Sequence, residues 1–202
     1  MGSKRAPYWT IDVTGAAARL RQRLAKRDPV DQAEDPSLIW AAVAAVLTPE
    51  PDSLLLIRRA DRTGDPWSGH MALPGGRREP GDPDLLTTAI RETAEELGIE
   101  LAPTDLAGHL EDVVPRTPSL PPIGVRPFVF YLAERPPLMP NAEVAEASWV
   151  PLDYLLRPDI HHSIRLEVGG QHRMVDAYRL ENAIVWGMTE RILSDLLRRL
   201  EL

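Results

Sequence analysis

Three glutamates, Glu92, Glu95 and Glu96, stand three and four positions apart in a stretch, GGRREPGDPDLLTTAIRETAEELG, that runs from Gly75 to Gly98. Each residue of an α-helix advances about 100°, so positions i, i+3 and i+4 project from one side and the three carboxylates share a patch. Like charges at that spacing are mildly destabilising unless a cation lies between them. A divalent ion would turn the repulsion into binding. Mg²⁺ takes hard oxygen ligands and keeps several waters, so a few helix carboxylates plus a substrate phosphate would suit it. A solvated acidic face is the other reading of a glutamate-rich helix. The glycine pair, the arginine directly before Glu92 and the closing Gly98 weigh against it.

The helix that carries these residues has its own signals. Leu86, Ile90, Ala94 and Leu97 recur at helical spacing on the roughly opposite face and are expected to pack onto a sheet. Asp82, Pro83 and Asp84 supply an N-terminal cap and first turn, and Gly98 a stop at C′. Gly75 and Gly76 let backbone approach an ion closely, so that a carbonyl at Gly76 is a candidate ligand.

Around this helix the chain reads mainly as strands. The apolar run Leu38 to Leu47, bounded by Pro36 and Pro49, fits helix or strand by periodicity. Strand is favoured, because Leu54 to Arg58 follows after a short turn and makes a hairpin with it. A short strand at His70 to Leu73 delivers the chain to the glycine pair. Arg58, Arg59 and Arg62 are candidates for substrate phosphates, since the arginine fork matches phosphate oxygens, and Trp67 for stacking on a purine. Exposed strand-end cations and a tryptophan plugging the core are the alternatives.

Beyond Gly98, Leu106 to Val113 is expected to be a strand and Pro115 to Pro122 a proline-rich loop. Gly124 to Leu132 has the strongest strand signal, with Pro127 arguing for an edge or a bulge. A loop with Glu143 and Glu146 then leads into a strand ending at Trp149 to Leu152. Ser163 to Leu180 reads as a hairpin around Gly169-Gly170, with His161, His162 and His172 as surface or loop residues. Ala183 to Leu200 gives a final helix with Ile184, Met188, Ile192 and Leu196 at four-residue intervals. At the other end Val13 to Arg27 reads as an amphipathic helix and Asp28 to Pro36 as a linker. The expected organisation is residues 1–36 as helix and linker appended to one domain over residues 37–202.

With 202 residues, 44% of them hydrophobic, the chain can bury one good core. A net charge of −7 offers no general basic footprint, so no nucleic-acid partner is expected. The absence of cysteine excludes disulfides, thiolate zinc sites and a cysteine nucleophile. No apolar run approaches the roughly 18 residues of a membrane span, so no membrane partner is expected and the default localisation is cytoplasmic.

The stretch from Gly76 to Gly98 resembles the box of the Nudix hydrolase family, in which a glycine, an acidic residue, Arg-Glu, Glu-Glu and a final glycine recur at set spacing. From Gly76 five residues lead to Asp82, and Arg91-Glu92-Thr93-Ala94-Glu95-Glu96-Leu97-Gly98 completes the pattern. Two departures, Asp82 in place of glutamate and one extra residue before Arg91, are habits of the family's coenzyme A pyrophosphatase branch. Met71 to Gly76, Glu143 to Leu152 and Val185 to Thr189 also resemble that branch, whereas Thr63 to Gly69, TGDPWSG, departs from its usual element before the box.

The resemblance implies an α/β fold, an α/β/α sandwich with a mixed β-sheet. It implies a Mg²⁺-dependent pyrophosphohydrolase, with Mn²⁺ as the other ion, cleaving the diphosphate of a nucleoside diphosphate linked to another moiety. Coenzyme A leads as substrate, with ADP-ribose, NADH and dinucleoside polyphosphates as alternatives. Metal ligands would be Glu92, Glu95 and Glu96 with Gly76 and Asp82, and Arg91 would orient the glutamates. Glu143 or Glu146, outside the box, would complete the metal set or serve as base. Family habit implies a homodimer. A non-catalytic nucleotide-sensing module is the rival of another class.

Overall fold

The computed structural model describes residues 22–24, 34–65, 67–115, 122–168 and 170–201. Most of the expected Val13 to Arg27 helix lies outside these residues. The described part, 22–24, is helical, Leu24 is buried, and Arg23 donates to the carbonyl of Arg199.

The apolar run and its successor form strands β1 (Ile39–Thr48) and β2 (Ser53–Arg59), paired antiparallel with Leu47 opposite Leu54. Their side chains alternate between two cores: Ala41, Ala45, Leu47, Leu54 and Leu56 face one, Ala42, Ala44, Val46, Leu55 and Ile57 the other. A strand buried on both faces reads as a continuous apolar run, which is why periodicity alone left its type open. Next come β3 (Met71–Ala72), β4 (Gly75–Arg77), α1 (Leu85–Leu97), β5 (Leu106–His109), β6 (Ile123–Tyr131), β7 (Val144–Pro151) and α2 (Leu152–Leu155). β8 (His161–Val168), β9 (Gln171–Arg179), β10 (Ile184–Trp186) and α3 (Gly187–Glu201) follow.

Seven strands make a mixed sheet in the order β3-β2-β1-β6-β5, with β4 pairing β1 and β7 pairing β2. β1 and β6 run parallel. α1 packs on one face through Leu85, Ala89 and Leu97, against Ala44, Leu55, Ile57 and Phe130. α3 packs on the other through Ile192, Leu193, Leu196 and Leu197, against Leu47, Leu54 and Val129. The arrangement is an α/β/α sandwich with a mixed sheet. A second antiparallel sheet, β10-β9-β8, is tied to α3 where His161 Nε2 lies 2.9 Å from Glu190 Oε1 and Ser194 donates to the same oxygen at 2.7 Å.

Several expectations shift. α1 buries Leu85, Thr88, Ala89, Thr93, Glu96 and Leu97, and leaves Leu86, Ile90 and Ala94 half-buried. A hydropathy pattern counts threonine as polar, but the Thr93 hydroxyl donates to Ala89 O at 2.7 Å and Thr88 to Asp82 at 3.0 Å, so both bury without an unmet hydrogen bond. Pro127 sits in an interior strand, between β1 and β5. Its carbonyl accepts the Leu110 N–H, on the flank where β5 has ended and before the Val113–Val125 bridge, so the missing N–H costs no ladder bond of β1. The final helix begins at Gly187, because Ile184 to Trp186 pairs with β9 as a strand.

Candidate active site

α1 begins at Asp84, whose side chain accepts the Thr87 N–H at 2.7 Å, and ends at Gly98 in the left-handed conformation, φ 68°. β4 lies beside it, paired with β1 so that Val43 faces Gly75 and Ala42 faces Gly76. This pairing sets the glycine pair against the glutamate face of α1.

The three glutamates occupy three different environments. Glu96 is 2% exposed and accepts the Gly75 N–H at 2.9 Å. Burial pushes its carboxyl up to about 7, with the Glu92 charge adding to the rise and the Gly75 bond opposing it. Glu92 lies flat against Gly76: a Cβ there would sit 2.3 Å from its carboxyl carbon. Burial raises the Glu92 pKa as well, against the lowering effect of Arg91. Glu95 is more than half exposed and turns its carboxylate to Arg91 Nη1 at 3.0 Å. Glu92 and Glu96 therefore form the inner pair, and Glu95 stands at the rim.

Asp82, expected as a metal ligand, is taken up by Arg91 and its own loop. Its two oxygens take Arg91 Nε at 3.0 Å and Nη2 at 2.9 Å, and one also accepts from Glu79 N and Thr88 Oγ1, each at 3.0 Å. The Arg91 fork, followed by burial acting the other way, holds the Asp82 carboxyl well below the usual carboxylate range. Arg91 also reaches Glu92 at 3.1 Å and the carbonyl of Arg77 at 3.2 Å. One guanidinium thus links the loop, β4 and two of the glutamates.

The loop before β7 brings in a fourth carboxylate. Asn141 donates its side-chain amide to Glu95 O at 2.9 Å and its backbone N–H to Glu96 O at 2.8 Å, satisfying carbonyls at the end of α1. Its side-chain oxygen accepts the Glu143 N–H at 2.8 Å. Glu143 is thereby set near the inner pair, and its charge adds to the upward shift of both Glu92 and Glu96. Glu146 lies three residues on, opposite Arg58 in the β2–β7 register and 3.3 Å from its guanidinium. Sequence reasoning did not single out Asn141. An asparagine two residues before an acid, in a loop, is a turn signal, and only the tertiary contact shows what it holds.

The candidate phosphate-binding arginines all have acidic neighbours: Arg59 with Asp65 at 2.8 Å, Arg62 with Glu143 at 2.8 Å, and Arg58 with Glu146. Arg59 retains a buried Nε with no partner among the described residues, and its charge acts on Glu96. Trp67 is half-buried against the α3-side core.

Among the described residues no three acidic or histidine side chains are gathered closely enough to enclose an ion by themselves. Glu92 and Glu96 each keep one carboxylate oxygen without a protein partner among those residues. That donor set fits an ion completed by water and substrate oxygens.

The family model described as the NUDIX domain matches residues 39–167. The chain belongs to the Nudix hydrolase family. The Nudix hydrolase NudL of Photorhabdus laumondii is 31% identical over 163 residues, covering 78% of this chain and 84% of that one. A mouse Nudix relative, the peroxisomal coenzyme A diphosphatase NUDT7, is 31% identical over 131 residues, covering 61% of this chain and 54% of its own length. The chain spans about half the length of that relative, and 36% of a fission-yeast protein that it also matches. A MutT/nudix family protein from Enterococcus faecalis shares the fold, with a TM-score of 0.61 at 16% identity over 98% of this chain and 76% of that one. Nudix hydrolases use divalent metal ions and act on small nucleotide-linked substrates. Among the described residues, no helix is long and apolar enough to cross a membrane.

Proposed function

We propose that the chain is a Mg²⁺-dependent pyrophosphohydrolase that cleaves the diphosphate of a nucleoside diphosphate linked to another moiety. Coenzyme A or a derivative is the first substrate to test. The observation that carries this reading is Glu96: a carboxylate almost wholly buried, fastened to Gly75 and set beside Glu92 with Glu143 near. Two mutually repelling carboxylates, Glu92 and Glu96, in one partly dry place cost stability unless a cation joins them.

Glu92, Glu95 and Glu96 would hold the ion, with the Gly76 carbonyl as a further ligand. Bound there, Mg²⁺ supplies neutralisation of phosphate charge and a water of lowered pKa. The remaining work falls to the chain itself. Arg91, clamped by Asp82, keeps Glu92 and Glu95 in orientation. Glu143, paired with Arg62 at 2.8 Å, would accept the proton of the attacking water. Arg59, whose Nε has no partner among the described residues, would meet a phosphate oxygen.

Coenzyme A is favoured by the Asp82 position with its extra residue before Arg91, and by the likeness to the mouse protein named as a coenzyme A diphosphatase. The TGDPWSG segment keeps ADP-ribose, NADH and dinucleoside polyphosphates as alternatives. Purified protein should be incubated with each of these and Mg²⁺ or Mn²⁺, and the products separated. Adenosine 3′,5′-bisphosphate and 4′-phosphopantetheine from coenzyme A, their formation abolished by EDTA, are expected. Tight binding without turnover of any of them would instead make the chain a nucleotide-sensing module.

A further inference from the structure

A cleft of 470 Å³ opens where the β3 edge of the main sheet meets the second sheet, lined by Arg58, His70, Met71, Arg179, Glu181 and Trp186 among others. That volume lies in the range of small-molecule sites. The cleft lies a few residues from the glutamate site along the chain. Arg58 faces Met71 in the β2–β3 register, Arg59 donates its N–H to His70 O at 3.0 Å, and Met71 precedes Gly75 by four residues, roughly 14 Å of extended chain at most.

The walls of the cleft differ in chemistry. His70 and Trp186 meet with ring centroids 4.9 Å apart, tilted by 59°, and give an aromatic side. Burial lowers the His70 pKa, so the ring is neutral near pH 7 and adds no charge. Arg58 is engaged by Glu146 and by the carbonyl of Asn182 at 3.0 Å. Arg179, at the end of β9 and opposite Ile184, is exposed and has no carboxylate within ion-pair distance among the described residues. Glu181 opposes an anion in the same cleft, so a net positive field is not what would bind one. A direct contact with the free fork of Arg179 is.

We propose that this cleft receives the end of the substrate beyond the diphosphate, and that Arg179 recognises a phosphate monoester carried there on a nucleoside whose base lies against Trp186. The proposal rests on the hydrolase reading of the glutamate site. An arginine fork meets phosphate oxygens in two parallel charge-assisted bonds, and an unpaired arginine gives up no ion pair to make them. The aromatic wall offers a base a large apolar contact.

Substrate pairs that differ only in that phosphate test it: coenzyme A against dephospho-coenzyme A, and NADPH against NADH. The wild type should favour the phosphorylated member through KM. Arg179→Ala should reduce that preference about tenfold, and Arg179→Lys should restore part of it. An undiminished preference in Arg179→Ala, or a loss confined to kcat, overturns the proposal. A second arm needs no turnover. Adenosine 3′,5′-bisphosphate and adenosine 5′-monophosphate are titrated calorimetrically into each protein in EDTA, with circular dichroism confirming the fold. Arg179→Ala should weaken the bisphosphate at least fivefold more than the monophosphate. Failure of the wild type to bind the bisphosphate, or binding indifferent to Arg179, overturns the cleft assignment. Binding that depends on Arg179 with no hydrolysis of any diphosphate would uphold the cleft and overturn the hydrolase reading.

Discussion

The Gly75 amide donates to a carboxylate oxygen of Glu96 at 2.9 Å, joining β4 to the last turn of α1 across 21 positions of sequence. The bond keeps one oxygen of a buried acid satisfied while the other is left for a ligand. It also explains why the approach to the helix is a glycine. Gly75 has φ 147°, and a Cβ there would fall 2.2 Å from the Ala42 carbonyl oxygen.

Burial of Glu96 makes the metal-free protein sensitive to pH. Its folded pKa is raised to about 7 from an ordinary value of 4.5, so its favourable contribution is full below pH 4.5 and is lost as pH rises to 7. Over that window wild-type stability without metal should fall relative to Glu96→Gln, by on the order of 3 kcal/mol. Denaturant melts of both proteins in EDTA at intervals of pH measure it. Parallel curves would show that Glu96 is not buried as an acid. With Mg²⁺ at neutral pH, Glu96→Gln should lower turnover by orders of magnitude.

Gly76 is set by close approach to Glu92. Gly76→Ala places a methyl group 2.3 Å from the Glu92 carboxyl carbon, and the side chain must turn away. Metal affinity, read by Mn²⁺ titration, should fall about 10- to 100-fold, the usual cost of disturbing a ligand's support. Melting in EDTA should shift far less, and affinity equal to wild type would remove Glu92 from the metal set.

Asp82 is expected to act through Arg91. Asp82→Asn replaces a charge-assisted, two-pronged pair by weaker bonds, at a cost of about 2 kcal/mol and several degrees of Tm. The stabilising pair is present above about pH 4 and fades as pH falls through the depressed Asp82 pKa. Turnover should drop about 10- to 100-fold. Metal binding abolished outright, as by a lost ligand, would restore Asp82 to the metal set.

Glu143 and Glu146 separate by role. Glu143→Gln should reduce kcat by about 10²- to 10⁴-fold. Glu146→Gln, which loosens a half-exposed pair with Arg58, should change kcat by less than tenfold. The reverse ranking would move the base onto β7. Rates at saturating Mg²⁺ across pH 5 to 9 decide between them.

Local regularities determined much of this protein. The acidic spacing, the Asp84 and Gly98 ends of α1 and the β1–β2 hairpin follow from periodicity, capping and a motif, all of which act within a few residues of sequence. Tertiary structure alone decided the rest. Which face of α1 is buried depended on threonine hydroxyls finding acceptors. Asp82 was paired with a fork nine residues on. Glu143 was separated from Glu146 by Asn141 capping the end of α1, and the aromatic wall came from His70 and Trp186, far apart in the chain, with Trp67 spent on the core. Long-range pairing sets these choices, because whether a polar group serves as ligand, clamp or plug depends on the partners that folding brings to it, and no local pattern records them.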